Sequence, residues 1–243
     1  MPVPMKKWFA EMQAKYKNAS SDRMAHEVFY RNPLRTMWSN RRFFGSPADG
    51  VITTQKRLDP HDDLVNIKGA EISPNDLLGP HKIDRPALVV CIFMSYLDVH
   101  WNRTPTECQI ERFPLPPIRT ANVSMLDTED ALVDGKIKPA TMAHMKFNGR
   151  VVNKMFAGHM RYTYYLVQIA DSDVSKIVPI DAEPVTSFPQ NERFGQIIFG
   201  SMNCLILPLD TRYRFKPTCQ VGDHVEAGTD TLVEIRLTNS RKT

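Results

Sequence analysis

Three segments of the chain carry polar side chains of the types that catalyse reactions. They are GSPADG at 45–50, YLDVHWNRTP at 96–105 and FGQIIFGSMN at 194–203. Asp49, His100 and Ser201 in these segments supply an acid, a base and a hydroxyl, which are the parts of an activated-serine site. Each residue also has a simpler structural explanation, as a turn former, a hydrogen-bonded histidine and a residue at a β-bulge. The spacing alone leaves open whether the three meet in space.

Longer runs around these residues follow one another in a recognisable order between about residues 43 and 236. They are GSPADGVI, IKGAEISPNDLLG, DVHWNRTP, VQIADSDVSKIVPI, NERFGQIIFGSMNCLILP and VGDHVEAGTDTLVEI. In order and spacing these runs resemble the short form of phosphatidylserine decarboxylase. Members of that family are pyruvoyl-dependent carboxy-lyases made as self-cleaving proenzymes.

The resemblance implies a cut between Gly200 and Ser201, which would leave associated fragments of residues 1–200 and 201–243. The Ser201 hydroxyl would attack the Gly200 carbonyl, and elimination from the resulting ester would leave a dehydroalanine. Its hydrolysis, with release of ammonia, would turn residue 201 into a covalent pyruvoyl cofactor. A Schiff base between this group and the substrate amine would then accept the electron pair left by carbon dioxide. The implied reaction converts phosphatidylserine to phosphatidylethanolamine.

The resemblance also assigns roles to the other polar residues. Asp49 matches the acid that orients the processing histidine. Longer family members carry two histidines three positions apart, where this chain has His100 and Arg103. We therefore expect His100 to serve both self-cleavage and decarboxylation, with its tautomer fixed by Asp49. His144 or His159 is the alternative for one of the two steps. The sequence identifies no substrate-binding residue, and no metal is expected.

One departure from the family leaves the substrate open. The short form usually has Arg after the cleavage serine, whereas this chain has Met202. A decarboxylase of a soluble or carrier-bound amino acid is therefore an alternative with the same chemistry. A non-catalytic lipid-binding pseudo-enzyme is an alternative of a different class, but the retention of Asp49, His100 and Ser201 argues against it.

The pattern of secondary-structure signals predicts a mainly β protein of the α+β class. From residue 46 onward, short β-branched and aromatic segments alternate with Gly, Pro, Asn and Asp. The predicted strands are 51–54, 64–68, 87–94, 108–113, 150–153, 162–170, 176–180, 196–207 and 231–237, and the predicted helices are 124–133 and 139–147. We expect a compact, β-sandwich-like decarboxylase domain over 46–243.

Residues 1–45 are predicted to form a basic helical arm in front of this domain. This arm has nine Lys and Arg against three acids, a net +6, while the rest of the chain is net −2. Apolar residues gather on one side of a helix over 5–16, and a second helix is expected at 21–30. Eight of the 22 aromatic residues lie in the arm. Two interpretations stay open: contact with an anionic membrane surface, or a hairpin packed on the domain.

Composition narrows the class of protein further. The longest apolar run, Ala87–Met94, has eight residues, where a membrane-spanning helix needs roughly 20. The first residues lack the apolar stretch of a secretory signal, so we expect a cytoplasmic protein that is peripheral at the membrane surface. The four cysteines show no CxxC spacing and are expected to be reduced thiols. Phosphatidylserine, an anionic membrane and a second copy of the chain are the expected partners, and nucleic acid is not.

Overall fold

The computed structural model describes residues 1–67, 70–118, 122–171, 176–181, 183, 185–198 and 201–238. One limit of the described residues falls within the predicted cleavage site. Ser201 is described, whereas Gly200 lies outside the described residues.

The described part of the chain is built mainly from short antiparallel strands. These are β1 Val3–Pro4, β2 Phe43–Gly45, β3 Gly50–Leu58, β4 Val65–Ile67, β5 Ala70–Ile72, β6 Ala87–Met94, β7 Trp101–Arg103, β8 Cys108–Leu115, β9 Arg150–Ala157, β10 Tyr162–Ala170, β11 Ile177–Pro179, β12 Val185–Phe188, β13 Arg193–Ile197, β14 Ser201–Pro208, β15 Tyr213–Pro217, β16 Asp223–Val225 and β17 Thr231–Leu237.

The helices are short by comparison. They are α1 Met5–Tyr16, α2 Ser21–Arg23 with a π-helical continuation over Met24–Phe29, α3 Pro74–Leu78, α4 Leu126–Val133 and α5 His144–Phe147, with 3-10 turns at Pro139–Thr141 and Gly158–Met160. None of these helices is both long enough and apolar enough to cross a bilayer. The predicted helix 139–147 is thus a 3-10 turn followed by α5.

One large sheet forms the centre of the fold. Its strand order is β1-β16-β3-β6-β14-β10-β9-β8-β12, and smaller sheets have the orders β11-β13-β7, β15-β17-β2 and β4-β5. All eight residues of β6 and of β14 are buried, because both faces of the large sheet are covered. This explains the continuous apolar run at 87–94, since a strand buried on both faces has no polar side. The mainly β, α+β fold class is confirmed.

The two faces of the large sheet carry different partners. On one face, Ile92 and Leu205 pack with Phe44, Val233 and other residues of the β15-β17-β2 sheet, which gives the sandwich-like layering. On the other face, residues of β6, β14 and β10 pack with the helices in a second core. Its members include Trp8, Phe9, Leu77, Leu132, Phe93, Val167 and Met202.

The N-terminal arm belongs to this second core. Met5, Trp8 and Phe9 of α1 are buried in it, and β1 pairs with β16. The apolar stripe of α1 therefore covers the sheet, as the packed-hairpin interpretation predicts. The boundary between arm and domain at residues 45 and 46 stays a prediction.

One predicted strand is wrong in a way that matters for the site. The sequence predicts a single strand over 196–207, but β13 ends at Ile197 and β14 begins at Ser201. The serine is therefore the first residue of a central strand.

Candidate active site

Ser201 lies at one end of the large sheet, between two neighbouring strands. It stands opposite Met94 of β6 and Ala170 of β10. The residue is fully buried, and its hydroxyl has no hydrogen-bond partner among the described residues. A buried hydroxyl without a partner is destabilising by about 1–3 kcal/mol. Such an arrangement points to a function for the group.

Met202, the departure from the family pattern, lies on the other side of the sheet. Successive side chains of a strand point to opposite faces, and Met202 is buried in the core against the helices. Methionine suits this apolar position, where an arginine would bury its charge. The Met202 side chain and the Ser201 side chain thus face different layers of the fold.

His100 is brought to the same end of the sheet by the turn that follows β6. Met94, opposite Ser201, leads through this turn to His100, whose carbonyl oxygen accepts a bond from the Ile197 amide at 3.2 Å. The His100 ring is fully buried. Its Nδ1 atom lies 3.0 Å from the carbonyl oxygen of Asp98.

This contact determines the tautomer of His100. A carbonyl oxygen can only accept, so Nδ1 carries the proton and Nε2 keeps its lone pair. Nε2 is buried and has no partner in the described part of the chain. Burial lowers the pKa of His100 to about 4, against the opposing effects of the Asp98 and Asp49 charges. At neutral pH the ring is therefore an uncharged base with an unengaged Nε2.

The arm covers this ring. Phe29, at the end of the π-helical segment, stacks on His100 with the ring centroids 3.7 Å apart and the planes inclined by 23°. Phe29 is itself 9% exposed. Because an aromatic ring lies against the imidazole, water is kept from that face, which contributes to the lowered pKa of His100.

Asp49 is bound by a residue that the sequence reasoning missed. The two terminal nitrogens of Arg35 each donate to one carboxylate oxygen of Asp49 at 2.6 Å. The Ala227 amide donates to the same carboxylate at 2.9 Å. Both Arg35 and Asp49 are almost fully buried, with side chains 8% and 2% exposed.

The glycine after Asp49 is required by its surroundings. Gly50 has a φ of +145°, and a Cβ atom there would lie 2.2 Å from the carbonyl oxygen of Phe93. Only glycine allows the chain to pass so close to β6. The GSPADG segment thus places Asp49 by a tight approach between two strands.

The predicted contact between Asp49 and His100 differs from the structure. The Asp49 carboxylate bonds to Arg35 and Ala227, and the proton position on His100 is set by the Asp98 carbonyl. The reason is geometric, because a guanidinium matches both oxygens of a carboxylate at once. Asp49 acts on His100 through its field, which raises the pKa of the ring.

The alternative histidines lie away from Ser201. His144 is buried near Phe93, with their ring centroids 6.1 Å apart, and Phe93 faces the helix side of the sheet, opposite to the Ser201 side chain. His159 precedes β10, whose far end at Ala170 pairs with Ser201. The nine residues of β10 place its two ends roughly 26 Å apart. His100 is the histidine whose segment is paired next to Ser201.

Arg103, which takes the place of the family's second histidine, is held in place by contacts with two loops. Its guanidinium donates to the Asn191 carbonyl at 2.9 Å, and its Cδ atom would lie 2.9 Å from a Cβ at Gly228. Burial lowers the pKa of Arg103, with added effects from the nearby Arg35 and Arg193 charges. The side chain is thus fixed beside the Arg35–Asp49 pair.

A cavity of about 310 Å³ opens next to these residues. Its lining is mostly apolar and comes from the π-helical segment, the turn after β6, the start of α4 and the end of β10: Met24, Ala25, Phe29, Tyr30, Tyr96, Met125, Leu126, Glu129 and Asp171. Phe29 connects the cavity to His100, and Asp171 follows the residue opposite Ser201. A larger cavity of about 470 Å³ near Glu107 and Gln190 includes none of the predicted site residues.

Glu129 is the titratable group of the smaller cavity. Its carboxylate accepts a bond from the Tyr96 amide at 2.6 Å. Burial raises the pKa of Glu129 to about 7, and the Asp98, Asp130 and Asp171 charges act in the same direction. The cavity therefore has a proton-exchanging group at neutral pH.

The fold and site define a protein with a buried, activatable serine and an uncharged histidine at one end of a mainly antiparallel sheet. The family model of phosphatidylserine decarboxylase matches residues 27–233, and no solved structure matches the chain. The chain belongs to the phosphatidylserine decarboxylase family, whose members are pyruvoyl-dependent carboxy-lyases.

Curated relatives agree with this assignment. A phosphatidylserine decarboxylase proenzyme of Novosphingobium aromaticivorans is 29% identical over 209 residues, covering 86% of this chain and 71% of the relative. The proenzyme of Erythrobacter litoralis is 28% identical, covering 86% and 72%. That of Carboxydothermus hydrogenoformans is 26% identical, covering 86% and 78%.

Proposed function

We propose that this chain is a self-processing decarboxylase that converts phosphatidylserine to phosphatidylethanolamine, with its cofactor made from Ser201. The observation that carries the proposal is the buried hydroxyl of Ser201 at the sheet end that also holds the uncharged ring of His100. Neither this hydroxyl nor His100 Nε2 has a hydrogen-bond partner among the residues that the structure describes. Family membership supports the same reaction.

Self-processing would begin with a proton transfer between these two groups. His100 Nε2 takes the Ser201 hydroxyl proton, and the oxygen attacks the Gly200 carbonyl carbon. The bond from this carbon to the Ser201 nitrogen then breaks, the imidazolium returns the proton to that nitrogen, and an ester replaces the amide. The Nδ1–H bond to the Asp98 carbonyl stabilises the charged imidazolium that forms. A ring with a pKa of about 4 is already unprotonated at pH 7, so no prior loss of a proton is required.

The surroundings of Ser201 suit its conversion to a pyruvoyl group. The hydroxyl makes no hydrogen bond to any described residue that this change would remove. Full burial restricts water around the position, where one water molecule is consumed when the dehydroalanine left by elimination hydrolyses to the ketone and releases ammonia. When formed, a pyruvoyl group supplies an acceptor for the electron pair left by carbon dioxide. His100, after taking up a proton at Nε2, would pass it to the product carbon, and Phe29 would exclude water from the imidazole.

The cavity beside Phe29 is the proposed entrance for the lipid headgroup. Its rim carries the exposed side chains of Tyr30, Tyr96 and Leu126. Glu129 on its wall offers a carboxylate oxygen to the ammonium group of the substrate. Leu34 is fully exposed and belongs to the same arm as Tyr30. Exposed apolar residues around a cavity fit a peripheral attachment to a membrane surface.

Decarboxylation assays on two substrate types test this function. Purified protein is incubated with phosphatidylserine vesicles and, separately, with free serine and other amino acids. Carbon dioxide released from the vesicles supports the proposal. Release from a soluble amino acid alone would identify the alternative decarboxylase, and an uncut chain without activity would identify a pseudo-enzyme.

A peripheral homodimer is proposed from the family resemblance alone. Light scattering coupled to size-exclusion chromatography measures its mass directly. A single-chain mass at micromolar concentration would contradict it.

A further inference from the structure

A second buried histidine lies next to the segment that carries His100. His224 of β16 is 2% exposed, and its Nε2 atom lies 2.6 Å from Oδ1 of Asp98, which is fully buried. His224 belongs to none of the catalytic roles described above. Its position against Asp98 nevertheless links it to the proposed base.

The second oxygen of Asp98 closes the turn after β6. Oδ2 accepts hydrogen bonds from the Ser95 amide and the Ser95 hydroxyl, both at 2.7 Å. The Asp98 amide donates to the Ser95 carbonyl at 2.9 Å. Since both carboxylate oxygens are engaged, the Asp98 residue is fixed from two sides of the turn.

The pKa of Asp98 is consistent with these hydrogen bonds. Burial alone would raise the pKa of Asp98, but the contacts with His224 and Ser95 outweigh it and hold the pKa below its ordinary value. Asp98 is therefore an ionised acceptor at neutral pH, and His224 donates a proton from Nε2. Trp8 stacks on the His224 ring with centroids 3.7 Å apart and planes inclined by 11°, which fixes the ring plane.

The backbone of the same aspartate determines the proton position on His100. The Asp98 carbonyl accepts the Nδ1–H of His100, so any rotation of the Asp98 residue would move this acceptor. The chain of contacts runs from Trp8 to His224, to the Asp98 carboxylate, and through the Asp98 carbonyl to His100.

We propose that His224 is a positioning residue for His100, acting through Asp98 to keep the His100 proton on Nδ1 and the Nε2 lone pair available. The inference rests on the proposed role of His100 in activating Ser201. The proposal gives His224 and the arm residue Trp8 a function, although neither of them is a catalytic group.

Nitrogen-15 NMR of the histidine rings tests the proposal in the full-length Ser201→Ala chain, which stays uncut. His224→Phe keeps a ring for Trp8 but removes the bond to Asp98. The expected result is a change of His100 from the Nδ1–H form to a mixture of tautomers. With Ser201 present, the same change should slow cleavage by about tenfold or more.

Two further variants keep the test decisive. His224→Gln can still donate to Asp98 and should restore the His100 tautomer and a cleavage rate close to that of the unchanged chain. His61→Phe, at an exposed histidine, is the matched control and should change neither. An unchanged His100 signal in His224→Phe, or a folded His224→Gln with mixed tautomers, would overturn the proposal. If the unchanged chain does not cleave, the proposed function fails, while the tautomer measurement still decides the role of His224.

Discussion

The guanidinium of Arg35 holds both carboxylate oxygens of Asp49 at 2.6 Å, and it does so from the N-terminal arm. The arm also places Phe29 on His100 and Trp8 on His224. Three arm residues thus each cover one polar residue of the site. The arm is a structural part of the candidate active site as well as of the core.

Replacing Arg35 should leave the Asp49 charge buried and unpaired. Arg35→Met in the Ser201→Ala chain is expected to lower the free energy of unfolding by about 3–5 kcal/mol at pH 7. Urea unfolding measures this change. Adding Asp49→Asn should recover much of the loss, because the unpaired charge is then removed.

The control for this prediction is an exposed ion pair. Arg41 and Glu107 are 3.0 Å apart with side chains 66% and 56% exposed, so Arg41→Met should cost no more than about 1 kcal/mol. Equal losses for Arg35→Met and Arg41→Met would contradict the account of the buried pair.

Cleavage should depend on one histidine. His100→Ala is expected to slow the appearance of the small fragment by about 100-fold or more, because it removes the proposed base. His159→Ala should leave the rate unchanged, since His159 lies at the other end of β10. Electrophoresis over time measures both rates, and a cleaving His100→Ala chain would exclude His100 as the base.

Stability should fall as the pH falls from 6.5 toward 4. Burial lowers the pKa values of His100 and His144 from 6.5 to about 4. In this pH range the unfolded chain therefore binds more protons than the folded chain, and lowering the pH favours unfolding. Glu129 acts in the opposite direction between about 4.5 and 7, because its pKa is raised to about 7 in the folded chain. The combined effect of the two histidines on the free energy of unfolding is larger than the opposing effect of the Glu129 carboxyl.

Glu129→Gln isolates these opposing effects. Removing the carboxyl should make the fall in stability steeper by up to about 1.4 kcal/mol per pH unit. Urea unfolding of the Ser201→Ala chain at several pH values provides the measurement. A free energy of unfolding that stays constant or rises between pH 6.5 and 5 would show that the two histidines are not buried in their uncharged form.

Membrane attachment should depend on the apolar rim of the cavity. Leu126 is 62% exposed and lines the cavity, so Leu126→Ser should weaken binding to phosphatidylserine vesicles while stability changes by less than about 0.5 kcal/mol. Leu237, 73% exposed in β17, is the matched control, because it does not line the cavity. Vesicle sedimentation that shows the same binding for both variants would contradict the proposed surface.

The sequence predicted the central strands well because their composition is distinctive. The limits of Ala87–Met94, Tyr162–Ala170 and Thr231–Leu237 agree with the predicted strands. The break between β13 and β14 was missed, since 196–207 is rich in apolar residues throughout and periodicity gives no boundary there.

The sequence motifs identify Asp49, His100 and Ser201, but they do not identify the residues that contact the carboxylates of the site. Arg35 and His224 lie 14 and 126 residues from the carboxylates that they contact. A single cation in an arm and a single histidine in a short strand carry no local signal of such pairing. Only tertiary packing brings these residues to the carboxylates. For the same reason the sequence predicts that Asp49 fixes the tautomer of His100, whereas in the structure the Asp98 carbonyl does so.

Intact-mass measurement of the purified full-length chain decides whether the chain processes itself. We expect the 27.8 kDa chain to be replaced by two associated fragments, residues 1–200 and 201–243, with residue 201 present as a pyruvoyl group. A single uncut chain with an unmodified Ser201 under all conditions would contradict it.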